Sequence, residues 1–560
     1  MTEQNQETLP GAEDAPVCAA QASPKGSDFR ISGKGEGAEL ASRQIARATG
    51  IVMIAFIISS LVGIAHQVVI TDAFGTSAAL DSFNAANRIT ELLFNLTAGG
   101  ALGSAFIPLF TGFLTRDDKK GAWRLASGVV NVVFLVLIAV SILAWIFAPW
   151  IVKNGLYALT ADSNMGQLSV TVRLLRIMLP TVVIFGISGL VMGMLNAHRS
   201  FLIPALAPAM YSLGIIFGTL ALPKSWGVDR LAIGVVLGAA GHLLLQIPSL
   251  LRLPARAYSA AVGLKDKAVR QVLKLMLPRL VGAAVVQLNF VANTIIALSL
   301  GEGAASSVAL AFALMMMPQR AIAQSAGIAS LPTLSAQAEM GQFAHMRHTI
   351  ARILRGIILL SLPASLGLIL LRVPLVRVLY ERGEFGAEST RLVAWALLWY
   401  AAGLVGHCLV EVLSRAFYAL HDTRTPVLVG VGAMSLNIGL SFLLAAWFRS
   451  IGWMPHGGLA LANSVATGLE SLLLLELLRR KLKGMEGKSI LRGASAALIG
   501  SALMTLTVFA YLRLMPGEQG VLALLGGMLA GVVVYGLSLR LLRVPELDSV
   551  LRIIKNKLSR

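Results

Sequence analysis

Charged residues are scarce in this 560-residue sequence: Asp, Glu, Lys and Arg make up only 13% of it. A typical soluble domain has about 25%, whereas here 56% of the residues are hydrophobic and the mean hydropathy is +0.76. This composition excludes an ordinary soluble protein and indicates a polytopic membrane protein. The formal net charge of +19 fits that class, because basic residues concentrate in the cytoplasmic loops of membrane proteins.

The sequence also lacks the residue patterns of most catalytic and cofactor sites. Its two cysteines, Cys18 and Cys408, lie far apart, so neither a disulfide framework nor a metal-ligand spacing is present. No glycine-rich phosphate loop followed by Lys and Ser or Thr occurs, and no nucleophile–base pair lies outside the apolar runs. We therefore predict no cofactor and no enzymatic activity. An ATP-driven pump is not expected, because there is no soluble domain to hold a nucleotide. Any transport would then run on gradients, membrane potential or consumption of the product.

Long apolar runs fill most of the chain. Runs of about 20 residues are long enough to cross a bilayer as a helix, and their number predicts an all-α fold with about fourteen spans. Residues 1–40 are polar, mixed in charge and contain Pro, Gly and Ser, which predicts a disordered tail rather than a signal peptide. The predicted spans are centred near Ile57, Ala98, Leu137, Ile184, Ile215, Val236, Val285, Leu310, Leu360, Leu397, Met434, Ala466, Ala497 and Met528.

The basic residues predict the orientation of these spans. With the N-terminus in the cytoplasm, the dense basic groups in Arg252–Lys274 and Arg479–Arg492 and the C-terminal tail all fall in cytoplasmic segments. One predicted outer loop departs from this bias, because Arg372, Arg377 and Arg382 stand there beside three glutamates. An even number of spans with both termini in the cytoplasm satisfies the positive-inside rule best.

One polar stripe interrupts the apolar runs. Its members are spaced 3, 4, 3 and 4 residues apart and are Asp81, Asn84, Arg88, Glu91 and Asn95. At about 100° per residue they lie within roughly 80° of one helix face. A charge at the centre of a bilayer costs roughly 2.5–3.5 kcal/mol, so we expect this stripe to face a substrate cavity. The alternatives are a short surface helix and a structural seam in which Arg88 and Glu91 neutralise each other.

Other polar residues lie in further predicted spans. His407, Glu411, Arg415 and Tyr418 share one face of the tenth span, where pairing of Glu411 with Arg415 would spare two lone charges in the membrane. His66, near the outer end of the first span, is more simply a structural neutral imidazole, although it can titrate near neutral pH. We include His66, Glu411 and Arg415 in the predicted substrate cavity. Hydrogen bonding between helices is the expected role of His242, Gln246, Gln287, Asn289 and Asn293.

Five sequence stretches, in a fixed order along the chain, carry a resemblance to a known family. They are Ala98–Phe110, Leu195–Pro208, Leu379–Phe385, Phe417–Pro426 and His456–Asn463. Together they resemble the MurJ (MviN) family of lipid II flippases, within the multidrug/oligosaccharidyl-lipid/polysaccharide exporter superfamily. The resemblance runs from about Ala48 to the C-terminus, and fourteen spans with both termini inside are also typical of that family.

The resemblance implies two six-helix lobes around a central cavity, followed by two helices that form a lipid-facing groove. The expected domains are a disordered tail (1–47), an N-lobe (48–256), a C-lobe (257–484), a C-terminal helix pair (485–543) and a basic tail (544–560). It also implies alternating access that carries an undecaprenyl-diphosphate-linked peptidoglycan precursor from the inner to the outer leaflet of the bacterial cytoplasmic membrane. The expected partners are that precursor, membrane lipids and the cell-wall synthesis machinery; the chain is expected to be a monomer that binds no nucleic acid.

The sequence departs from the family at several cavity positions, which leaves other functions open. His66 stands where the family typically has Arg, and Glu411 where a basic residue is common, while Asp81 and Arg88 match family charges. A dianionic headgroup would then depend on Arg88, Arg415 or another cation. The alternatives are a same-fold transporter of another polyprenyl-linked glycan, glycolipid or amphipathic molecule, and a non-transporting scaffold for envelope synthesis.

Overall fold

The structure, a computed structural model, describes residues 58–97, 100–160, 165–198, 200–254, 257–515 and 520–546. Every regular element in these ranges is a helix, and none is a strand. The predicted tail 1–47, almost all of the tail 544–560 and the predicted span centres Ile57 and Ala98 lie outside the described residues.

Ten helices lie in the described residues of the N-terminal half. A π-helical turn, Val152–Leu156, follows the fifth of them, and a 3-10 turn, Lys224–Trp226, precedes the ninth. The helices are α1 (Ile58–Phe74), α2 (Ala78–Thr97), α3 (Gly100–Thr115), α4 (Lys119–Ile146), α5 (Ala148–Ile151), α6 (Met165–Met178), α7 (Pro180–Ala197), α8 (Leu202–Ala221), α9 (Asp229–Leu244) and α10 (Ile247–Leu251).

Ten more helices lie in the part of the C-terminal half that the structure describes. Asp266 begins the first of them by accepting a hydrogen bond from Ala268 N at 2.8 Å, which satisfies a helix N–H that lacks a partner within the helix. A π-helical turn, Arg320–Gln324, joins the second and third. The helices are α11 (Lys267–Leu298), α12 (Ala304–Gln319), α13 (Ser325–Glu339), α14 (Phe343–Tyr380), α15 (Ala387–Ala402), α16 (Leu404–Ala419), α17 (Arg424–Ser450), α18 (His456–Lys481), α19 (Gly487–Leu514) and α20 (Val521–Leu541).

The twelve predicted span centres that fall on described residues all lie on these helices. In the described part of the chain, ten helical stretches are long and apolar enough to cross a membrane, and α15 with α16, bent by 47°, raises the number to eleven. The predicted centre Val285 falls on a shorter apolar helix, Ala284–Leu298, and two further short apolar helices are Ile58–Phe74 and Ala105–Thr115. The predicted all-α polytopic membrane fold is therefore confirmed, while the count of fourteen stays a prediction.

Buried apolar side chains form separate cores along the chain. One core includes α2, α6 and α9, a second includes α3, α4 and α7, and a third includes α12, α14, α15, α16 and α18. The first core also takes in residues at the end of α11 and the start of α18. The last two helices pack on α14 through two smaller clusters. The division into two lobes and a helix pair, with its boundaries, stays a prediction, because the first core joins residues of both predicted lobes.

Helices α8 and α9 approach each other closely because glycines line their contact. Gly214 and Gly218 of α8 lie against Gly234 and Gly238 of α9. A Cβ atom on Gly218 would lie 2.5 Å from the carbonyl oxygen of Arg230, closer than real Cβ contacts. Small residues four apart let membrane helices pack backbone against backbone, so these glycines fix the geometry of the N-terminal half.

Candidate functional site

The polar stripe of α2 begins where α2 meets the N-terminus of α12. Asp81 is only 2% exposed. Its Oδ2 accepts a hydrogen bond from Gly303 N at 2.7 Å, and its Oδ1 accepts from Ser306 N at 2.7 Å and from Ser306 Oγ at 2.6 Å. The first N–H groups of a helix lack partners within it and carry partial positive charge. Asp81 therefore caps α12 from a helix more than 200 residues earlier in the chain.

The capping is reciprocal. Glu302, just before α12, accepts a hydrogen bond from Ala78 N, the first residue of α2, at 2.9 Å. Gly303 has a φ of 78°, and a Cβ there would lie 2.6 Å from the carbonyl oxygen of Thr76, so only glycine fits this position without strain. Asn84 Nδ2 adds a hydrogen bond to the Ser306 hydroxyl at 3.1 Å. These contacts tie one helix of the predicted N-lobe to one helix of the predicted C-lobe.

The connection between α14 and α15, together with the first turn of α15, contacts the segment between α1 and α2. The hydroxyl oxygens of Thr76 and Ser389 are 2.8 Å apart, and Glu384 N donates to the carbonyl oxygen of Asp72 at 2.9 Å. In the orientation predicted from the basic residues, all of these connections lie on the outer side. We call these contacts the interlobe seal, defined by Thr76, Asp81, Asn84, Glu302, Gly303, Ser306 and Ser389.

Further along α2 the charged residues pair with each other. Arg88 Nη1 donates to Glu91 Oε2 at 2.7 Å, and Asn87 Nδ2 donates to Glu91 Oε1 at 3.0 Å. The Arg88 guanidinium also lies over the ring of Phe290 in α11, 5.1 Å from its centroid. Asn95 Nδ2 donates to the main-chain oxygen of Glu91 at 2.9 Å. Because the Arg88 and Glu91 side chains are 27% and 43% exposed, they line an accessible surface rather than a core.

The second polar stripe lies on α16 and is also internally paired. Arg415 donates from Nε and Nη2 to Glu411 Oε1, at 3.0 and 2.5 Å. Arg415 packs against the backbone of α13, where a Cβ on Gly327 would lie 2.6 Å from the Arg415 Nε. One helical turn before Glu411, His407 Nε2 lies 2.9 Å from Asn463 Oδ1 of α18. The stripe therefore faces α13 and α18.

Aromatic rings connect the charged pair of α2 with the stripe of α16. Phe290, which lies under Arg88, contacts Phe312 of α12 with ring centroids 6.0 Å apart. Phe312 in turn contacts Tyr400 and His407, at 5.3 and 6.2 Å. The two stripes thus belong to one continuous region, although no described contact joins the Arg88–Glu91 pair directly to the Glu411–Arg415 pair.

The remaining predicted polar residues lie apart from these pairs. His66 on α1 is half-buried, and its Nδ1 has no hydrogen-bond partner among the described residues. Several weaker candidates join helices, as predicted: His242 Nδ1 lies 2.6 Å from Ser188 Oγ, and Asn293 Nδ2 donates to Asn437 Oδ1 at 2.9 Å. Gln246 and Asn289 take part in the same two networks. Over the residues that the structure describes, no three His, Cys, Asp or Glu side chains form a metal-binding group.

Sequence reasoning missed the partners of Asp81. Glu302, Gly303 and Ser306 belong to the seal, but none of them was a candidate. A signal was available, since Gly301 and Gly303 flank Glu302 just before an apolar run, a pattern typical of a helix start. This pattern predicts where α12 begins, but it does not predict which carboxylate caps the helix.

Comparison with known proteins places this arrangement in a family. A family profile described as "Lipid II flippase MurJ" matches residues 70–528. The chain belongs to the lipid II flippase MurJ family. The lipid II flippase MurJ of Burkholderia cenocepacia is 31% identical over 431 residues, covering 76% of this chain and 82% of that protein. A probable lipid II flippase MurJ of Rhizobium tropici is 30% identical over 454 residues, covering 80% and 83%.

Solved structures share the fold of this MurJ family member. "Lipid II flippase MurJ, inward closed conformation" superposes with a TM-score of 0.73 at 24% identity, covering 87% of this chain and 97% of that one. A multidrug resistance MATE family transporter in an inward-facing conformation superposes with a TM-score of 0.63 at 14% identity, covering 77% and 98%. The predicted family is thus confirmed by the profile and the curated relatives, and the solved structures show that the fold is shared. Membership of a flippase family also agrees with the prediction that the chain is not an enzyme.

Proposed function

We propose that this chain is a flippase that moves lipid II, an undecaprenyl-diphosphate-linked peptidoglycan precursor, from the inner to the outer leaflet of the bacterial cytoplasmic membrane. The observation that carries the proposal is the family match over residues 70–528. Moving an ionised headgroup through hydrocarbon without compensation is prohibitively costly. The headgroup therefore needs a polar path through the protein, while the apolar tail stays in lipid.

The two charged pairs support such a path. Arg88 and Arg415 lie on membrane-level helices and are 27% and 20% exposed, each beside one glutamate. Arginine binds phosphate oxygens through two parallel hydrogen bonds. We infer that the diphosphate replaces Glu91 and Glu411 as the partner of these arginines. When no substrate is bound, the glutamates keep each arginine from being a lone charge in the membrane.

The interlobe seal supports alternating access. It consists of hydrogen bonds and helix caps that join the start of α2 to the starts of α12 and α15, and these can break and reform without rearranging a core. In the proposed orientation, with both termini in the cytoplasm, the seal closes the outer side in this conformation. Asp81 and Asn84 then hold the outer side shut, and opening of the seal exposes them to the cavity. Because both sides of the seal belong to one chain, a monomer can open and close the outer side by itself.

An apolar groove supports a path for the tail. It lies between α14, α19 and α20 and has a volume of about 700 Å³. Its walls are almost entirely apolar, and they include Leu371, Val508, Met528 and Tyr535. A long polyprenyl chain can lie against such a surface as it lies against lipid tails, because apolar walls expose no polar group to hydrocarbon.

Complementation tests the proposal. The chain is expressed in a bacterium depleted of its own lipid II flippase, and the exposure of lipid II on the outer leaflet is followed. We expect rescue by the wild type, failure of Arg88→Ala, and full rescue by Arg391→Gln. Arg391 is the matched control, because it also pairs with a glutamate three residues away but is 65% exposed. Absence of rescue by correctly folded wild-type protein in the membrane would contradict the proposal.

A further inference from the structure

A shallow groove of about 330 Å³ lies between α4 and α6, two helices that carry neither charged pair. Trp145 of α4 forms one wall. One face of α6 forms the other wall, and both walls together are lined by Trp145, Ser169, Val172, Arg173, Arg176 and Ile177. The α6 residues follow helical spacing, so they form a continuous strip along the helix. We call this feature the interfacial groove.

The lengths of the uncharged runs indicate that the interfacial groove lies at the surface of the bilayer. On α4 the uncharged run that follows Arg124 reaches Trp145 after about 30 Å at 1.5 Å per residue, the thickness of the hydrocarbon core, and the run continues to Val152. The uncharged, mostly apolar run from Ile177 to Ala197 is of similar length and begins immediately after Arg176. Trp145 and Arg176 therefore lie at the edge of the hydrocarbon, where tryptophan and arginine side chains are most stable.

Arg176 is held in place without a neutralising partner. Its Nε donates to the carbonyl oxygen of Trp145 at 3.2 Å, and its guanidinium lies over the Trp145 ring, 4.6 Å from the centroid. No carboxylate in the described part of the chain pairs with it. One hydrogen bond and one ring thus fix the guanidinium plane, while its two terminal nitrogens stay free to bind two oxygens of one anion.

Arg173 adds a second positive charge to the groove. Its Nε donates to Asp229 Oδ1 at 3.0 Å, yet the Arg173 side chain is 56% exposed, so this pair neutralises it only partly. The surface beside the groove is apolar and exposed, and it includes Phe147 and Trp150. The groove therefore combines a net positive pocket at the membrane surface with apolar walls, which matches a phosphate attached to acyl chains.

We propose that the interfacial groove binds an anionic phospholipid such as phosphatidylglycerol, with its phosphodiester held by Arg176 and Arg173. The proposed orientation puts this lipid in the outer leaflet. A zwitterionic lipid carries a cationic group that the two arginines repel, so the groove discriminates by net charge. This binding is independent of transport and does not use the charged pairs of α2 and α16.

Native mass spectrometry of the purified full chain measures the binding directly. Phosphatidylglycerol, phosphatidylcholine and inorganic phosphate are added in separate titrations. We expect phosphatidylglycerol to bind at least about tenfold more tightly than phosphatidylcholine, because both lipids carry the phosphodiester but only phosphatidylcholine adds a cationic group that the two arginines repel. We expect Arg176→Gln to remove that preference. Arg513→Gln is the matched control, since Arg513 also lies over an aromatic ring, at 5.2 Å from the Phe509 centroid, but belongs to another helix.

A second variant tests the proposal independently in case Arg176→Gln does not fold. Ser169 is exposed, and Ser169→Asp places a carboxylate in the groove while both arginines keep their hydrogen bonds. We expect it to weaken phosphatidylglycerol binding without lowering the melting temperature. Equal binding of the two lipids, unchanged binding in both variants, or displacement of phosphatidylglycerol by inorganic phosphate at equal concentration would overturn the proposal. Because no step measures flipping, this result does not depend on the proposed function.

Discussion

Replacement of Asp81 by Asn tests the interlobe seal with almost no change in shape. The Asp81 carboxylate accepts two hydrogen bonds from backbone N–H groups of Gly303 and Ser306, one on each oxygen, and a third from the Ser306 hydroxyl. An asparagine offers one oxygen that accepts and one nitrogen that only donates. In either orientation of the amide, its nitrogen therefore faces a backbone N–H group that has lost its acceptor.

The magnitude follows from these contacts. A buried donor without a partner costs about 1–3 kcal/mol, and loss of a negative charge at a helix N-terminus costs about 0.3–2 kcal/mol. We therefore expect Asp81→Asn to weaken the seal by about 1.3–5 kcal/mol. Since about 1.4 kcal/mol is a factor of ten, the ratio of open to closed outer sides should rise by roughly tenfold or more.

Two cysteines report on the seal. Thr76→Cys and Ser389→Cys, introduced together into a Cys18→Ser, Cys408→Ala background, replace hydroxyl oxygens that are 2.8 Å apart. With Asp81 present we expect a disulfide to form readily. With Asp81→Asn we expect the disulfide yield to fall, and we expect a membrane-impermeant maleimide to label the single Thr76→Cys variant at least about tenfold faster.

Asp117→Asn provides the control, because Asp117 is also close to a helix N-terminus but its side chain is 84% exposed. It should leave labelling of Thr76→Cys unchanged. If Asp81→Asn protein that is folded and present in the membrane is labelled at the wild-type rate, Asp81 does not hold the outer side closed.

Three further predictions concern packing, surface charge and the pair on α16. Gly238→Leu should destabilise the protein by about 1–3 kcal/mol through overpacking of α8 against α9, seen as a lower melting temperature, whereas Gly189→Leu, in open space, should not. A hydrogen bond from the lysine at the end of α18 lowers the pKa of Asp422 from 3.8 to about 2. The stability from this bond is present above about pH 4 and is lost as the pH falls towards 2, so Asp422→Asn should flatten that part of the melting profile. Arg415→Ala should cost about 1–3 kcal/mol in unfolding free energy because it leaves Glu411 unpaired, and Arg415→Ala combined with Glu411→Ala should recover part of the loss.

The stripe on α2 shows how far residue spacing reaches. Spacing predicted that Asp81, Asn84, Arg88 and Glu91 share one helix face, and in the structure Asp81, Asn84 and Arg88 all point towards α11 and α12. The pairing of Arg88 with Glu91, weighed as an alternative, is present at 2.7 Å. Residue spacing could not predict that Asp81 and Asn84 belong to the interlobe seal while Arg88 and Glu91 lie on an accessible surface. This difference depends on contacts with residues more than 200 positions away in the sequence.

The loop that departs from the positive-inside bias has a structural explanation. Arg377 pairs with Glu381 at 3.0 Å, and Arg382 Nη2 donates to the carbonyl oxygens of Val378 and Leu379, at 3.0 and 2.8 Å. Arg382 therefore caps the C-terminal end of α14, and Arg377 lies in the last turn of that helix, where basic side chains are stabilised by the helix dipole. A count of basic residues cannot distinguish a helix cap from a topology signal.

The sequence by itself determined the helices, their apolar character and the faces on which their polar residues lie, because hydropathy and helical period are properties of neighbouring residues. The family resemblance also followed from motifs that are contiguous in the chain. Only the tertiary structure decided which polar groups satisfy one another. Which helix ends lie side by side decides whether a polar group has a partner, as it does for the Asp81 carboxylate, the backbone N–H of Gly303 and the Arg176 guanidinium. The packing of the whole helix bundle, and no local sequence pattern, determines which ends lie side by side.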